Sequence, residues 1–359
     1  MRLKIFRALV LGLLVTALVL PAGELRALAQ QQEPPKGKQE PKQEPKPPEK
    51  PAEFAISVDV PLVNVDVVAT DAAGNFIPGL KRENFRILED GVLQTITNFA
   101  PTEAPITCVL LVEYSKLAYG WFSYKSNTAA YEFLRHLSPN DWVALVSYDM
   151  RWRTEVDFTQ DKRQIQTTLN QMFLPAFTEA NLFDALLDTL DRLQDVKGKK
   201  AILILASGYD TFSKHTLDNV LKTLRQTDVT IFAVGVGKEY FEYYDARGAY
   251  GGASRVGYYQ AENQLNSFAR MSGGRAWFPR FDGEMPGIFR EVAASLRNQY
   301  SLGYVPSNQK RDGRFRKIKV ELVNVDGTPI NIVNEKGKKV KYVVYAREGY
   351  TAPKGSVSD

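Results

Sequence analysis

Cys108-Val109-Leu110-Leu111-Val112-Glu113-Tyr114-Ser115-Lys116-Leu117 is five apolar residues without a polar break, followed by a carboxylate and a hydroxyl. A short continuous apolar run reads as a strand buried on both faces, which belongs to a parallel sheet covered by helices. Ala201 to Leu205 and Ile231 to Val236 repeat the pattern. Helical signals lie between and after these runs. Asp161 to Gln164 resembles a capping box, and Leu182, Leu186 and Leu193 mark one helix face. Phe289, Val292, Leu296 and Tyr300 mark the last helix, at i, i+3, i+7 and i+11. Residues 104–298 are therefore predicted to form an α/β domain with a doubly wound, mainly parallel sheet.

Working outward, both flanks change to period two. Ile56, Val58 and Val60 alternate with polar residues, and the phase slips by one at Pro61 to Val63, Val65 and Val67. Such a slip predicts a bulged edge strand. Phe85 to Leu88 and Leu93 to Phe99 read as strands joined at Glu89-Asp90-Gly91. After the centre, strands are expected at Ser301 to Val305, Phe315 to Val323 and Val340 to Ala346. Two or three strands are marginal alone. The blocks 54–103 and 299–352 are thus predicted to pair into one small all-β sandwich in which the α/β domain is inserted, with 353–359 as a tail. Two separate small domains are the rival arrangement.

Residues 1–29 carry the features of an export signal: Arg2, Lys4 and Arg7, an uncharged apolar run from Ala8 to Ala22, and Ala27-Leu28-Ala29 before Gln30. The run is shorter than the ~20 residues of a spanning helix, so cleavage is expected and no transmembrane segment should follow it; an uncleaved anchor is the alternative. Residues 30–53 are Pro, Lys, Glu and Gln with seven prolines and five lysines against five glutamates. This composition predicts a disordered spacer with polyproline II character, or a partner-binding proline-rich motif. The protein is expected to be periplasmic or secreted, and a lone cysteine there should be buried.

The single cysteine excludes an intrachain disulfide, and two histidines, His136 and His215, leave multi-histidine zinc sites and most acid–base triads without parts. Ser115 with Glu113, or Ser207 with Asp210, would be the only nucleophile–acid pairs, and neither includes a histidine, so no enzyme is expected. The 46 basic and 41 acidic residues are too nearly balanced for a nucleic-acid protein. Neither a dinucleotide fingerprint nor a P-loop follows a strand.

A doubly wound sheet presents its ligand site at the carboxyl ends of its strands. There lie Val112-Glu113-Tyr114-Ser115-Lys116-Leu117, Ile204-Leu205-Ala206-Ser207-Gly208-Tyr209-Asp210 and Thr230 to Gly237. In order and spacing these resemble a von Willebrand factor A domain. With Glu89-Asp90-Gly91, Tyr300-Ser301-Leu302-Gly303-Tyr304 and Ala346-Arg347-Glu348-Gly349-Tyr350, about 300 residues resemble the secreted von Willebrand factor A-related family abundant in acidobacteria. The resemblance implies a metal-ion-dependent adhesion site of five oxygen ligands, D-x-S-x-S, a Thr and an Asp, suited to a hard divalent cation. On those positions this sequence has Glu113, Ser115, Leu117, Ala180 and Ser207, so one of five is intact. The site reads as degenerate and no cofactor is expected, with Mg²⁺ or Mn²⁺ possible only if Thr178 or Asp210 substitutes.

Aromatic residues crowd the same rim. The first loop holds Tyr114, Tyr119, Trp121, Phe122 and Tyr124. The segment from Lys238 to Gln260 holds Tyr240, Tyr243, Tyr244, Tyr250, Tyr258 and Tyr259, six of 17 tyrosines, with four glycines. Read as a loop, it offers large rigid contact area, or else covers its own core. Between Lys310 and Arg347 eleven basic residues face four acidic ones, which reads as charged edge strands or as a surface for an anionic partner. The sequence thus points to an exported, non-catalytic A-domain-like protein that recognises a protein or envelope partner without a metal. A structural envelope scaffold, or a metal-dependent adhesion module remodelled around Glu113, are the alternatives.

Overall fold

Alternating burial and continuous burial divide the strands into two populations, and the two populations build two different cores. The computed structural model describes residues 62–72, 74–100, 105–116, 118, 127–172, 175, 177–333 and 339–355. The export segment, the spacer, Ile56 to Val60, Leu117, Tyr119, Trp121, Phe122 and Tyr124 lie outside the described residues.

Numbered along the chain, the first block gives β1 (Val63–Asp71), β2 (Phe85–Glu89), β3 (Val92–Gln94) and β4 (Ile96–Ala100). The centre gives β5 (Ile106–Glu113), α1 (Asn127–His136), β6 (Trp142–Tyr148), β7 (Trp152–Thr159), α2 (Lys162–Gln171), α3 (Leu182–Arg192) and β8 (Lys199–Ala206). It continues with α4 (Leu217–Leu224), β9 (Thr230–Gly235), α5 (Lys238–Asp245), α6 (Gly252–Ser272), β10 (Ala276–Trp277) and α7 (Met285–Arg297). The last block gives β11 (Gln299–Tyr304), β12 (Phe315–Leu322), β13 (Ile332–Val333), β14 (Lys339–Val340), β15 (Tyr342–Ala346) and β16 (Gly349–Thr351).

The central sheet runs β10-β9-β8-β5-β6-β7, parallel except for β7. Alternate residues of β5 enter opposite cores, which is why Cys108 to Val112 has no polar position. Cys108, Leu110 and Val112 pack with Phe133 of α1, Ile165 of α2 and Phe289 and Val292 of α7. Val109 and Leu111 pack with Leu182 and Leu186 of α3, Val220 of α4 and Leu265 and Phe268 of α6. Cys108 is fully buried, and burial, joined by the nearby Asp141 charge, pushes its thiol up to about 12. Among the described residues no helix is long and apolar enough to cross a membrane.

The two flanking blocks form one β-sandwich. Its sheets run β15-β1-β11-β4 and β16-β12-β2-β3, so each mixes strands from both ends of the chain. Val63 lies opposite Tyr304, Val67 opposite Ala346, and Glu89 opposite Ile318. Val65, Ile87, Leu302, Tyr304 and Leu322 meet in a shared core. The sequence motifs of the flanks converge there on a single carboxylate. Buried Glu89 accepts hydrogen bonds at Oε2 from Tyr304 Oη (2.7 Å) and Tyr350 Oη (3.0 Å). Next to it Asp90 and Gly91, at φ 48° and 85°, make the tight turn into β3.

Several expectations are corrected. β1 pairs on both sides and is a central strand, not an edge strand. The stretch Leu93 to Phe99 is two strands, since β3 pairs with β2 and β4 with β11 in the other sheet. A chain that crosses between sandwich layers must break its ladder, and it does so at Thr95, beside a register irregularity at Tyr304. Tyr300 belongs to β11, because α7 ends at Arg297. Asp161 caps α2 by accepting from Arg163 N, without the reciprocal half of a capping box. β6 and β7 had no counterpart in the sequence reading.

Ile87 and Leu322 are fully buried in the shared core from opposite ends of the chain. Ile87→Ala and Leu322→Ala should each cost about 2–5 kcal/mol in urea unfolding, and both should shift the same transition. Val92→Ala, on an exposed position, should change it by less than about 0.5 kcal/mol. Two transitions, each moved by only one variant, would show the blocks to be separate domains.

A self-satisfied carboxylate and an aromatic rim

The site is built at the carboxyl ends of β5, β8 and β9. β5 ends in Glu113, which is fully buried. Its Oε1 accepts from Ser115 Oγ (2.6 Å), and its Oε2 accepts from both the amide and the hydroxyl of Ser207 (2.7 Å each). Gly208 makes this possible. Its φ of 85° turns the chain sharply behind Ser207, and a β-carbon there would sit 2.6 Å from the Ala261 carbonyl oxygen. Burial raises the Glu113 carboxyl above the ordinary range, against the lowering by the serine hydrogen bonds. The Tyr148 phenol, buried with the same carboxylate, is also pushed up, first by burial and then by the Glu113 charge.

Backbone bonds tie the surrounding loops together. Tyr114 N donates to Tyr148 O (2.6 Å), Lys116 N to Phe177 O (2.8 Å) and Asn181 N to Asp149 O (2.8 Å). Thr211 N and Phe212 N both donate to Ala180 O. Ala180 is buried and offers only its methyl group where a ligand hydroxyl is expected. Thr178 is exposed and its amide bonds Glu179 Oε2 (3.1 Å). Asp210 accepts at Oδ1 from Phe183 N (3.1 Å) and Ser213 Oγ (2.5 Å), so it caps α3 from outside. Burial is the main cause of its raised pKa. At the next residue of α3, Asp184 accepts from the amides of Lys214 and His215 and from His215 Nδ1 (2.8 Å). Against the desolvation of its site, those bonds hold its pKa below the usual carboxylate range.

This donor set does not fit Mg²⁺ or Mn²⁺. Such ions need several oxygens arranged at about 2.1 Å in an octahedron. Here one carboxylate already receives the two serine hydroxyls, and the other nearby carboxylate holds a helix terminus.

The tyrosine-rich segment is not a loop. It is α5 and the first half of α6, and its rings divide by exposure. Phe241 and Tyr258 are buried and stack face to face at 3.8 Å between centroids. Tyr258 Oη donates to Glu262 Oε1 (2.7 Å), which also pairs with Lys238, so the two helices are tied through one carboxylate. Tyr258, proposed from sequence as a contact residue, therefore packs inward, and Tyr250 is half-buried against Phe241. Tyr240, Tyr243, Tyr244 and Tyr259 are exposed, at 50%, 52%, 45% and 58%. Tyr243 meets Tyr244 edge-on, and the Arg247 guanidinium lies 3.5 Å above its ring. Sequence reasoning missed Phe177, Phe212 and Phe281, which leave loops of the same rim and are also exposed. They stand singly in the sequence, so clustering could not find them; only Phe212 follows a predicted strand, Ala201 to Leu205, and could have been found by its position.

Residues 108–246, which include Glu113, Ser115, Ala180 and Ser207, match the family model of the von Willebrand factor type A domain. The central α/β unit has a von Willebrand factor A-like fold. Similar solved structures include an aerotolerance-related membrane protein from Bacteroides fragilis, 12% identical, with a TM-score of 0.41 over 53% of this chain and 98% of that one. BatB from Bacteroides thetaiotaomicron is 13% identical, with a TM-score of 0.37 over 53% and 98%. Proximal thread matrix protein 1 from the mussel byssus is 13% identical, with a TM-score of 0.41 over 56% and 48%. No curated protein matches the chain.

The folded A domain holds the Glu113 proton more tightly than the unfolded chain does. Stability from this residue is therefore greatest below the ordinary glutamate range and is lost as pH rises through the raised folded pKa. Glu113→Gln, a neutral isostere, should gain on the wild type over that interval, by up to about 1.4 kcal/mol per pH unit. Urea unfolding of both proteins across pH 4 to 8, roughly the window of such a titration, measures the difference; a flat difference would contradict the assignment.

Proposed function

We propose that this protein is an exported, non-catalytic A-domain module that binds a protein or other envelope partner through its aromatic rim, without a metal. It fits the secreted A-domain-related type suggested by its sequence, delivered by the segment 1–29 and held away from a surface by the spacer 30–53. One observation carries the reading. The carboxylate at the adhesion-site position spends its oxygens on Ser115 and Ser207, while exposed aromatic rings occupy the rim around it.

An A domain with an adhesion metal grips a partner's carboxylate. With that means absent, affinity must come from area and hydrogen bonds. Tyrosine suits this, since it gives a large rigid surface with a polar tip at low entropic cost. Against a catalytic reading stand the engagements of the candidate groups. Both rim serines donate to a buried carboxylate, and His215 is held at Nδ1 by Asp184. The scaffold reading draws its support from the inward rings, Phe241 and Tyr258, which do act as a small core. The exposed tyrosines are what that reading leaves without a role.

Capture from an envelope extract by the immobilised protein tests the proposal. Capture should persist in excess chelator. Tyr243→Ala with Tyr244→Ala should leave the melting temperature nearly unchanged and reduce capture about thirtyfold, the loss of ~2 kcal/mol typical of an aromatic anchor. Capture abolished by chelator would overturn the metal-free reading, and capture indifferent to the tyrosine pair would overturn the rim.

A further inference from the structure

At the other end of the central sheet, where the parallel strands begin, a cleft of about 480 Å³ opens between the A domain and the β-sandwich. Its walls come from the start of β8 (Lys197, Lys199), the start of β9 (Asp228, Thr230), β1 (Asp66) and the turn before β16 (Arg347). The size falls within the range of small-ligand sites.

Arg347 is the unusual member. It is 91% buried, at 9% exposure. Its Nε donates to Gly349 O (3.1 Å), but among the described residues its two terminal amino groups have no hydrogen-bond or ion-pair partner. The backbone around it is fixed. Glu348 N donates to Met271 O and Thr351 N to Arg225 O, so the turn is stitched to the A domain. Lys199, 95% buried, gives one hydrogen bond to Gln299 O (2.8 Å) and has donors to spare. The acidic groups are already engaged. Asp66 accepts from Ser301 Oγ, and Asp228 pairs with Lys200 (2.7 Å). Burial, as the leading cause, lowers the pKa of both Arg347 and Lys199 and raises that of Asp66, the pattern of charges without sufficient partners.

We infer that this cleft is a binding site for a carboxylate, received by the free fork of Arg347 and by Lys199. A guanidinium with both terminal amino groups open matches a carboxylate with two parallel hydrogen bonds. Lys197, Lys199 and Arg347 outnumber Asp66 and Asp228 by one, which suits a monoanion better than a dianionic phosphate. The carboxylate could belong to a small organic acid or to the terminus of a peptide. The site is independent of the aromatic rim, and its test does not involve the rim's partner.

Calorimetric titration of the full chain at constant ionic strength decides the matter, with sodium chloride as the control. The probes are sodium butyrate (a monocarboxylate), a short peptide with a free carboxyl terminus, and the same peptide amidated. Saturable binding of butyrate or of the free-acid peptide, absent for the amide and for chloride, is expected, and the tighter of the two identifies the source. Arg347→Lys keeps the charge but loses the fork and should weaken binding about ten- to a hundredfold, the worth of a charge-assisted hydrogen bond. Lys197→Gln alters an exposed side chain and should fold normally, with binding weakened about two- to fivefold. No saturable heat from either carboxylate with the wild type would overturn the inference, leaving a cleft filled by water. Binding equally tight in both variants would overturn it as well.

Discussion

A carboxylate with no exposure to water must have its oxygens met by donors. Glu113 imposes that constraint on the whole functional end of the molecule. Three donors answer it, and they come from two different strand ends, so β5 and β8 are locked in relation to each other by the side chain as well as by their ladder. Gly208 must adopt a left-handed turn to bring the Ser207 amide into place. The loops carrying Phe177, Ala180 and Phe212 are then fixed by bonds to one another. The length of the glutamate side chain lets its two oxygens reach Ser115 on its own loop and Ser207 on the neighbouring one.

A second buried carboxylate organises the other core. Glu89 stands at the end of β2 and draws in Tyr304 from β11 and Tyr350 from β16, pushing both phenols up, chiefly through burial. Both sheets of the sandwich, and both ends of the chain, therefore depend on one side chain. The arrangement explains how two blocks separated by some 200 residues form one layer pair. The turn holding Arg347 leads directly into β16, whose Tyr350 is one of the two anchored rings.

Much of this was legible in the sequence. Strands buried on both faces, such as β5, β8 and β9, announce themselves by unbroken apolar runs, and the paired flanks follow from their shortness. What was hidden depends on contacts distant in the chain. Trp142 to Tyr148 contains a serine and carries a tryptophan exposed at its start, and β7 is mostly solvent-facing, so neither reads as a buried strand. The break at Thr95 follows from which sheet each half pairs with, and no local signal marks it. At the site, the substituted ligand positions Ala180 and Ser207 were readable from residue type alone. That Ser115 and Ser207 both donate to Glu113 was not, since spacing does not reveal which way a hydroxyl points. The tyrosine-rich segment misled because glycines interrupt it. They sit between α5 and α6 and at the α6 start, so the rings face two ways instead of one.

The central claim is that the carboxylate of Glu113 occupies, with the two serine hydroxyls, the place a divalent cation takes in metal-bearing A domains. A crystal structure grown in excess Mn²⁺, with anomalous scattering recorded at the manganese edge, tests it most directly. The account predicts no anomalous peak at this position, with Ser115 Oγ and both donors of Ser207 still on the carboxylate. A peak at about 2.1 Å from a Glu113 oxygen and from the serine hydroxyls, with their mutual hydrogen bonds broken, would contradict it.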